Sequence, residues 1–179
     1  MNIAASIAST PSAAKAVTEP DQKHLLQIYL RDHEAAAAGG LELFRRCSRS
    51  NEGTPYAEEL QRLTSEIRLK RDALRDICRQ FDVAFSKVGQ ALAFAGVTLG
   101  RLKTNGRALT YSPLSRVIEL EAMSAGVMTQ LRLWQLLLHI AAVDQRLDKE
   151  ALNRHVTDAN EQLEALVRLH QRAVHDAFL

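Results

Sequence analysis

Four long stretches of this chain carry apolar residues at helical spacing, with polar residues on the opposite side of each stretch. The pattern predicts α-helices at residues 21–48, 54–81, 112–143 and 148–178. None of the four prolines interrupts a stretch beyond its first turn, the one part of a helix that tolerates this residue. Strand-like alternation and sequence repeats are absent, so we predict an all-α bundle in which helix packs on helix.

The segments outside these stretches predict a tail and one shorter helix. Residues 1–20 are rich in Ala, Ser and Thr and lack the pattern of a secretion signal, so we expect a disordered N-terminal tail. Residues 84–103 contain apolar residues and three glycines, which favours a shorter, less regular helix between helices two and three. A length of 179 residues suits one hydrophobic core, and we expect a single helical-bundle domain over residues 21–179.

Composition and charge exclude several classes of partner. The formal charge of +2 is too small for a concentrated basic face, so we expect no nucleic-acid partner. The most apolar run, residues 131–143, contains polar residues and is shorter than the ~20 residues of a membrane span, so we expect no membrane partner. Cys47 and Cys78 lie apart within amphipathic stretches, as expected of free buried thiols in a cytoplasmic protein.

The third predicted helix carries more apolar surface than one neighbouring pair of helices can cover. Its apolar stripe changes face near Gly126, which indicates either a kink or burial on two sides. Residues 131–143 hold most of the excess, and Trp134 within them suits either the core or a contact between chains. We therefore predict a homodimer formed through this face of helix three.

Ionisable residues on or beside the apolar stripes are the candidates for chemistry. Five of them are predicted to be buried or to bind a ligand: Asp32, His33, Arg71, Glu121 and His170. A buried carboxylate needs a cation or hydrogen-bond donors, or else takes up a proton. Our first interpretation is structural, with Arg71 paired to Asp32 or Glu121 and the histidines hydrogen-bonded to neighbours. It implies no catalytic residue and no cofactor, in a protein that acts through assembly or surface interaction.

The alternative interpretation is a metal site in a metalloenzyme or a metal-storage protein. Its ligands would be Asp32, His33, Glu121 and His170, because imidazole and carboxylate groups on facing helices bind iron, manganese or zinc in bundles. The direction of helix three decides between the two interpretations. If the chain crosses the bundle before helix three, Glu121 lies near His170 in one tier and the other candidates lie in a second tier. If the chain folds back locally, all five candidate residues approach the same height along the bundle.

The order of the predicted helices resembles the ferritin-like four-helix bundles, in which a connection separates two pairs of long helices. Metal-binding members of that family carry Glu-x-x-His on two helices. This motif is absent here, since Glu66, Glu119, Glu121 and Glu161 are followed three residues later by Leu69, Ala122, Ser124 and Glu164. The resemblance implies a bundle without the di-iron centre and assigns no ligand. Residues 32–34 and 42–46 are also similar to an uncharacterised bacterial family, which implies no function.

A third possibility is a small-molecule pocket beneath residues 84–103. Its lining would come from aromatic residues of that segment and from methionines of helix three. The residues concerned are Phe85, Phe94, Met123 and Met128. Pockets for small molecules are mostly apolar, but the same residues also suit ordinary core packing.

Overall fold

A computed structural model of the chain describes residues 20–84 and 111–179. Within these ranges the chain forms four α-helices and no strands, which confirms the all-α prediction. The helices are α1 (Pro20–Ser50), α2 (Ala57–Gln80), α3 (Pro113–Ile140) and α4 (Lys149–Phe178). The predicted tail, apart from Pro20, and the predicted shorter helix, apart from Ala84, lie outside the described residues.

Side-chain caps begin α3 and α4 where the sequence indicated. The Ser112 hydroxyl accepts a hydrogen bond from the backbone N–H of Ser115 at 3.1 Å, with Pro113 in the first helical position. The Asp148 carboxylate accepts from the backbone N–H groups of Glu150 and Ala151. These acceptors satisfy N–H groups that a helix leaves unpaired at its first turn.

The start of α2 differs from the expectation, because the helix begins at Ala57 rather than next to Thr54. Tight turns occupy the intervening residues: Thr54 N–H donates to Asn51 O, and Ala57 N–H donates to Thr54 O, each at 3.1 Å. The Thr54 hydroxyl donates to Asn51 O at 2.6 Å, so its side chain stabilises this turn. Gly53 adopts a φ of +74°, a conformation that glycine reaches at little cost.

Each helix packs against two others, with α1 beside α2 and α3, and α4 beside α3 and α2. At one end of the bundle, called the upper end here, Asn51 at the end of α1 donates to Tyr111 just before α3. Tyr56 at the start of α2 donates to Asp176 at the end of α4, also at the upper end. At the lower end, Gln27 of α1 donates to the carbonyl of Phe81 after α2. Helices α1 and α4 therefore run upward, and α2 and α3 run downward.

Helix α3 is buried on two sides, which explains the change of face in its apolar stripe. It is continuous from Pro113 to Ile140 and packs against both α1 and α4. Its buried side chains point to both neighbours and include Val117, Leu120, Met123, Val127, Leu131, Leu133, Trp134 and Leu137. None of the described helices is both long and apolar enough to span a membrane.

Candidate functional site

The five ionisable residues predicted to be buried differ in exposure. Asp32 and Glu121 expose 60% of their side chains, so the prediction that they are buried is wrong. His33, Arg71 and His170 are half-buried. Glu121 is exposed because it lies on a face of α3 against which no described helix packs. Positions 125 and 129, one and two turns further along that face, are exposed as well.

The partners of these residues also differ from the structural interpretation. Arg71 donates to Glu34 at 2.9 Å rather than to Asp32 or Glu121, because Glu34 lies on the side of α1 that faces α2. Asp32 lies 3.7 Å from its chain neighbour, the Arg31 guanidinium.

The histidines follow the structural interpretation more closely. The Nδ1 atom of His33 lies 2.9 Å from the carbonyl oxygen of Tyr29, one turn earlier in α1. The Nε2 atom of His170 lies 3.2 Å from Glu121 Oε1, as expected if helix three runs downward. The four candidate metal ligands therefore do not converge. In residues 20–84 and 111–179, no group of three or more His, Cys, Asp or Glu side chains could hold a metal ion.

Several of the polar side chains that the fold does bury form two clusters, and the first lies at the upper end between α1 and α3. Glu119 is 3% exposed and accepts a hydrogen bond from Arg46 at 2.6 Å and another from the Tyr111 hydroxyl at 2.8 Å. Asn51, fully buried, donates to the Tyr111 oxygen at 3.0 Å and accepts from Arg116 at 2.6 Å. This upper cluster ties the end of α1 to the start of α3.

Burial also affects the acidity of the upper cluster. It raises the pKa of the Tyr111 hydroxyl, with Cys47 and Glu119 adding to the effect. Burial, reinforced by the Glu119 carboxylate, raises the pKa of the Cys47 thiol to about 12. On α2, burial raises the pKa of the Cys78 thiol to about 11. Both thiols therefore stay protonated at neutral pH and are poor nucleophiles.

We expect Ellman's reagent at pH 8 to leave both cysteines unmodified in the folded chain. The thiolate is the reactive form, and these two thiols are buried and protonated. The same titration in denaturant should count two thiols, which provides the control. Rapid reaction of either cysteine in the folded chain would contradict the burial that the structure shows.

The second cluster joins α2 to α4 midway along the bundle. Lys70, 8% exposed, donates to Nδ1 of His155 at 2.8 Å and to the carboxylate of Asp158. The His155 ring packs against the indole of Trp134, with ring centroids 4.6 Å apart. Burial, and then the charge of Lys70, lowers the pKa of His155 to about 4. The neutral ring can therefore accept the lysine hydrogen bond at neutral pH.

A cavity of about 540 Å³ opens between α1, α2 and α3, and we call it the α1–α3 groove. Small or apolar residues line most of it, among them Ala36, Gly40, Leu43, Met123, Gly126 and Trp134. Among the described residues, no heavy atom lies within 4 Å of a β-carbon placed on Gly40 or Gly126. The Trp134 indole N–H is buried without a hydrogen-bond partner in the described part of the chain.

The groove agrees only in part with the pocket that the sequence suggested. Met123 lines it, whereas Met128 is 42% exposed and lies outside it. Phe85 and Phe94 lie outside the described residues.

Sequence reasoning missed Lys70 and Glu119, although a signal for each was present. Lys70 follows Leu63 by seven residues and precedes Leu74 by four, a spacing that places it on the buried stripe of α2. Glu119 precedes Met123 by four residues and shares its face of α3. Comparisons of the chain with protein-family models, with curated proteins and with solved structures each found no match.

Proposed function

We propose that this chain is a non-catalytic helical bundle of ferritin-like topology that acts through its surface and through assembly with a second copy. One observation carries the proposal. In the described part of the chain, the two buried charged residues within helices each bond across to another helix: Glu119 to Arg46, and Lys70 to Asp158. Charges satisfied in this way join one helix to another, and neither Glu119 nor Lys70 is left free for chemistry.

The ferritin-like part of the proposal rests on helix direction. An up-down-down-up order of four helices requires a long connection between the second and the third, as in ferritin-like bundles. The order of α1 to α4 is of this kind, and the α2–α3 connection has to join opposite ends of the bundle. We propose a cytoplasmic location because both described cysteines are free thiols, as is usual in a reducing compartment.

The proposed contact between copies lies on the outward face of lower α3. Half of the apolar residues at 131–143 are buried within one chain, including Leu133 and Leu137, so less surface is left than the sequence suggested. Leu136 and Val143 remain 40% and 36% exposed. Leu136 lies in the last turns of α3 and Val143 in the turn that follows the helix, so both belong to the lower end of the bundle.

We expect wild-type protein to have the mass of a dimer in light scattering at micromolar concentration, and Leu136→Glu to have the mass of a monomer. A carboxylate at this position would have to lose its water on association. Leu69→Glu is the matched control, because Leu69 is 60% exposed on α2 and lies away from the proposed contact. A monomeric wild-type protein, or dissociation by both substitutions alike, would overturn the assembly proposal.

A further inference from the structure

The α1–α3 groove combines apolar walls with a buried hydrogen-bond donor that has no acceptor. Its volume of about 540 Å³ lies within the range of about 300–1,000 Å³ that is usual for small-molecule sites. Trp134 lines the groove and is fully buried, but its indole N–H has no partner among the described residues. An indole N–H can only donate, and an unpaired buried donor costs free energy. An acceptor atom in the groove beside Trp134 would remove that cost.

A second unpaired donor lies at the same height on α2. Arg71 also lines the groove, and its Nε–H has no partner in the described part of the chain, although its Nη2 donates to Glu34. The shared height follows from contacts between the helices. The Trp134 ring packs against His155, and Nδ1 of His155 lies 2.8 Å from Nζ of Lys70, the residue before Arg71. One level of the groove therefore carries unpaired donors on both α2 and α3.

The charges at this level favour an anion. Lys70 and Arg71 line the groove, whereas their carboxylate partners, Asp158 and Glu34, are not among the lining residues. Of the described residues that line the groove, only Glu42 is acidic, and its side chain is 62% exposed. It lies about 12 Å further up α1 than Glu34, which marks the level of Arg71. The positive member of each ion pair is thus the one beside the groove.

Above this level the walls of the groove are small and apolar. Ala36, Gly40 and Gly126 line this part, and none of the described residues has a heavy atom within 4 Å of a β-carbon placed on either glycine. Leu43, half-exposed, lies near the upper end. From Glu34 to Leu43, α1 rises about 14 Å at 1.5 Å per residue. A hydrocarbon chain along this stretch would bury apolar surface, which is favourable.

We propose that the α1–α3 groove binds an aliphatic carboxylic acid. The carboxylate lies at the level of Trp134 and Arg71 and accepts their unpaired N–H groups, and the hydrocarbon chain runs upward along the small residues towards Leu43. This binding site is separate from the proposed contact between copies, because Leu136 and Val143 are not among the residues that line the groove.

Titration with dodecanoate, below the concentration at which it forms micelles, tests the proposal. Trp134 is the only tryptophan of the chain, so intrinsic tryptophan fluorescence reports directly on the groove. We expect a saturable change in emission at one dodecanoate per chain. Dodecyltrimethylammonium is the matched control, because it carries the same hydrocarbon chain with a cationic head, and it should bind at least about tenfold more weakly. No saturable change with dodecanoate, or equally tight binding of the cation, would overturn the proposal.

Gly40→Leu should weaken dodecanoate binding by at least about tenfold, because the new side chain takes up space that the ligand needs. The variant should still fold, since leucine favours a helix more than glycine does. Ser65→Leu is the matched control, because Ser65 is exposed on α2 and is not a lining residue. Full affinity in Gly40→Leu, or an equal loss in both variants, would count against the groove as the binding site.

Two further variants separate the acceptor contact from other occupants of the groove. Trp134→Phe keeps an aromatic ring but removes the N–H, so calorimetry should show dodecanoate binding about tenfold more weakly. Unchanged affinity would contradict the proposed position of the carboxylate. Leu136→Glu should bind dodecanoate as the wild type does. Binding by Leu136→Glu alone would assign the groove to a second copy and overturn the proposal.

Discussion

Replacing Arg46 by alanine should lower the free energy of unfolding by about 3 kcal/mol, the loss typical of removing one partner from a buried ion pair. Glu119, 3% exposed, would keep the hydrogen bond from the Tyr111 hydroxyl but lose its guanidinium partner. A carboxylate without its cation is costly to bury. Urea unfolding followed by circular dichroism at pH 7 gives the required free energies.

Arg45→Ala is the matched control for this substitution. Arg45 is the neighbouring residue in α1, and its pair with Glu42 is exposed and 3.8 Å long. Pairs of this kind contribute little, so we expect a loss within about 0.5 kcal/mol. Similar losses for Arg45→Ala and Arg46→Ala would show that the upper cluster does not hold α1 to α3.

The folded chain should lose stability as the pH falls from about 6.5 towards 4, and His155 should account for a measurable part of that loss. Its pKa is lowered from 6.5 to about 4 in the folded state, so over this range the unfolded chain binds a proton that the folded chain does not. Stability therefore declines with falling pH, and this contribution stops changing below the folded pKa. Because the ring is partly exposed, we expect His155 to contribute about 1–2 kcal/mol to the loss of unfolding free energy. This is less than the full free energy that corresponds to the pKa shift.

His155→Gln should flatten this pH dependence, since the amide does not titrate. His139→Gln is the control, because His139 is exposed on α3 and its Nδ1 atom lies 2.8 Å from the Gln135 carbonyl oxygen of its own helix. Urea midpoints at pH 7, 6, 5 and 4 for the three proteins provide the comparison. The same pH dependence in all three would mean that His155 titrates normally in the folded chain.

The helices could be predicted closely because their signals are local. Apolar spacing and the caps Ser112 and Asp148 depend only on neighbouring residues, and α3 and α4 begin where these signals place them. The start of α2 was predicted less well, since the Thr54 hydroxyl can cap a helix or close a turn. In the folded chain it closes the turn at Asn51.

The candidate site was harder to predict because burial of a polar residue depends on which helix packs beside it. Glu121 and Glu119 are two residues apart, but only the Glu119 side faces α1 and its cation, Arg46. No periodicity within α3 can distinguish them, since apolar residues surround that helix on several sides. Helix direction, which sets the tiers of polar residues, is likewise decided by contacts between distant segments such as Tyr111 and Asn51.

The most direct test of our central claim, that buried charges in this bundle join helices to each other, is a double-mutant cycle between Arg46 and Glu119. Unfolding free energies are needed for wild type, Arg46→Ala, Glu119→Ala and the double variant. We expect a coupling energy of about 2 kcal/mol, because the double variant removes the charge that either single variant leaves unpaired. Losses that add to within about 0.5 kcal/mol would contradict the claim.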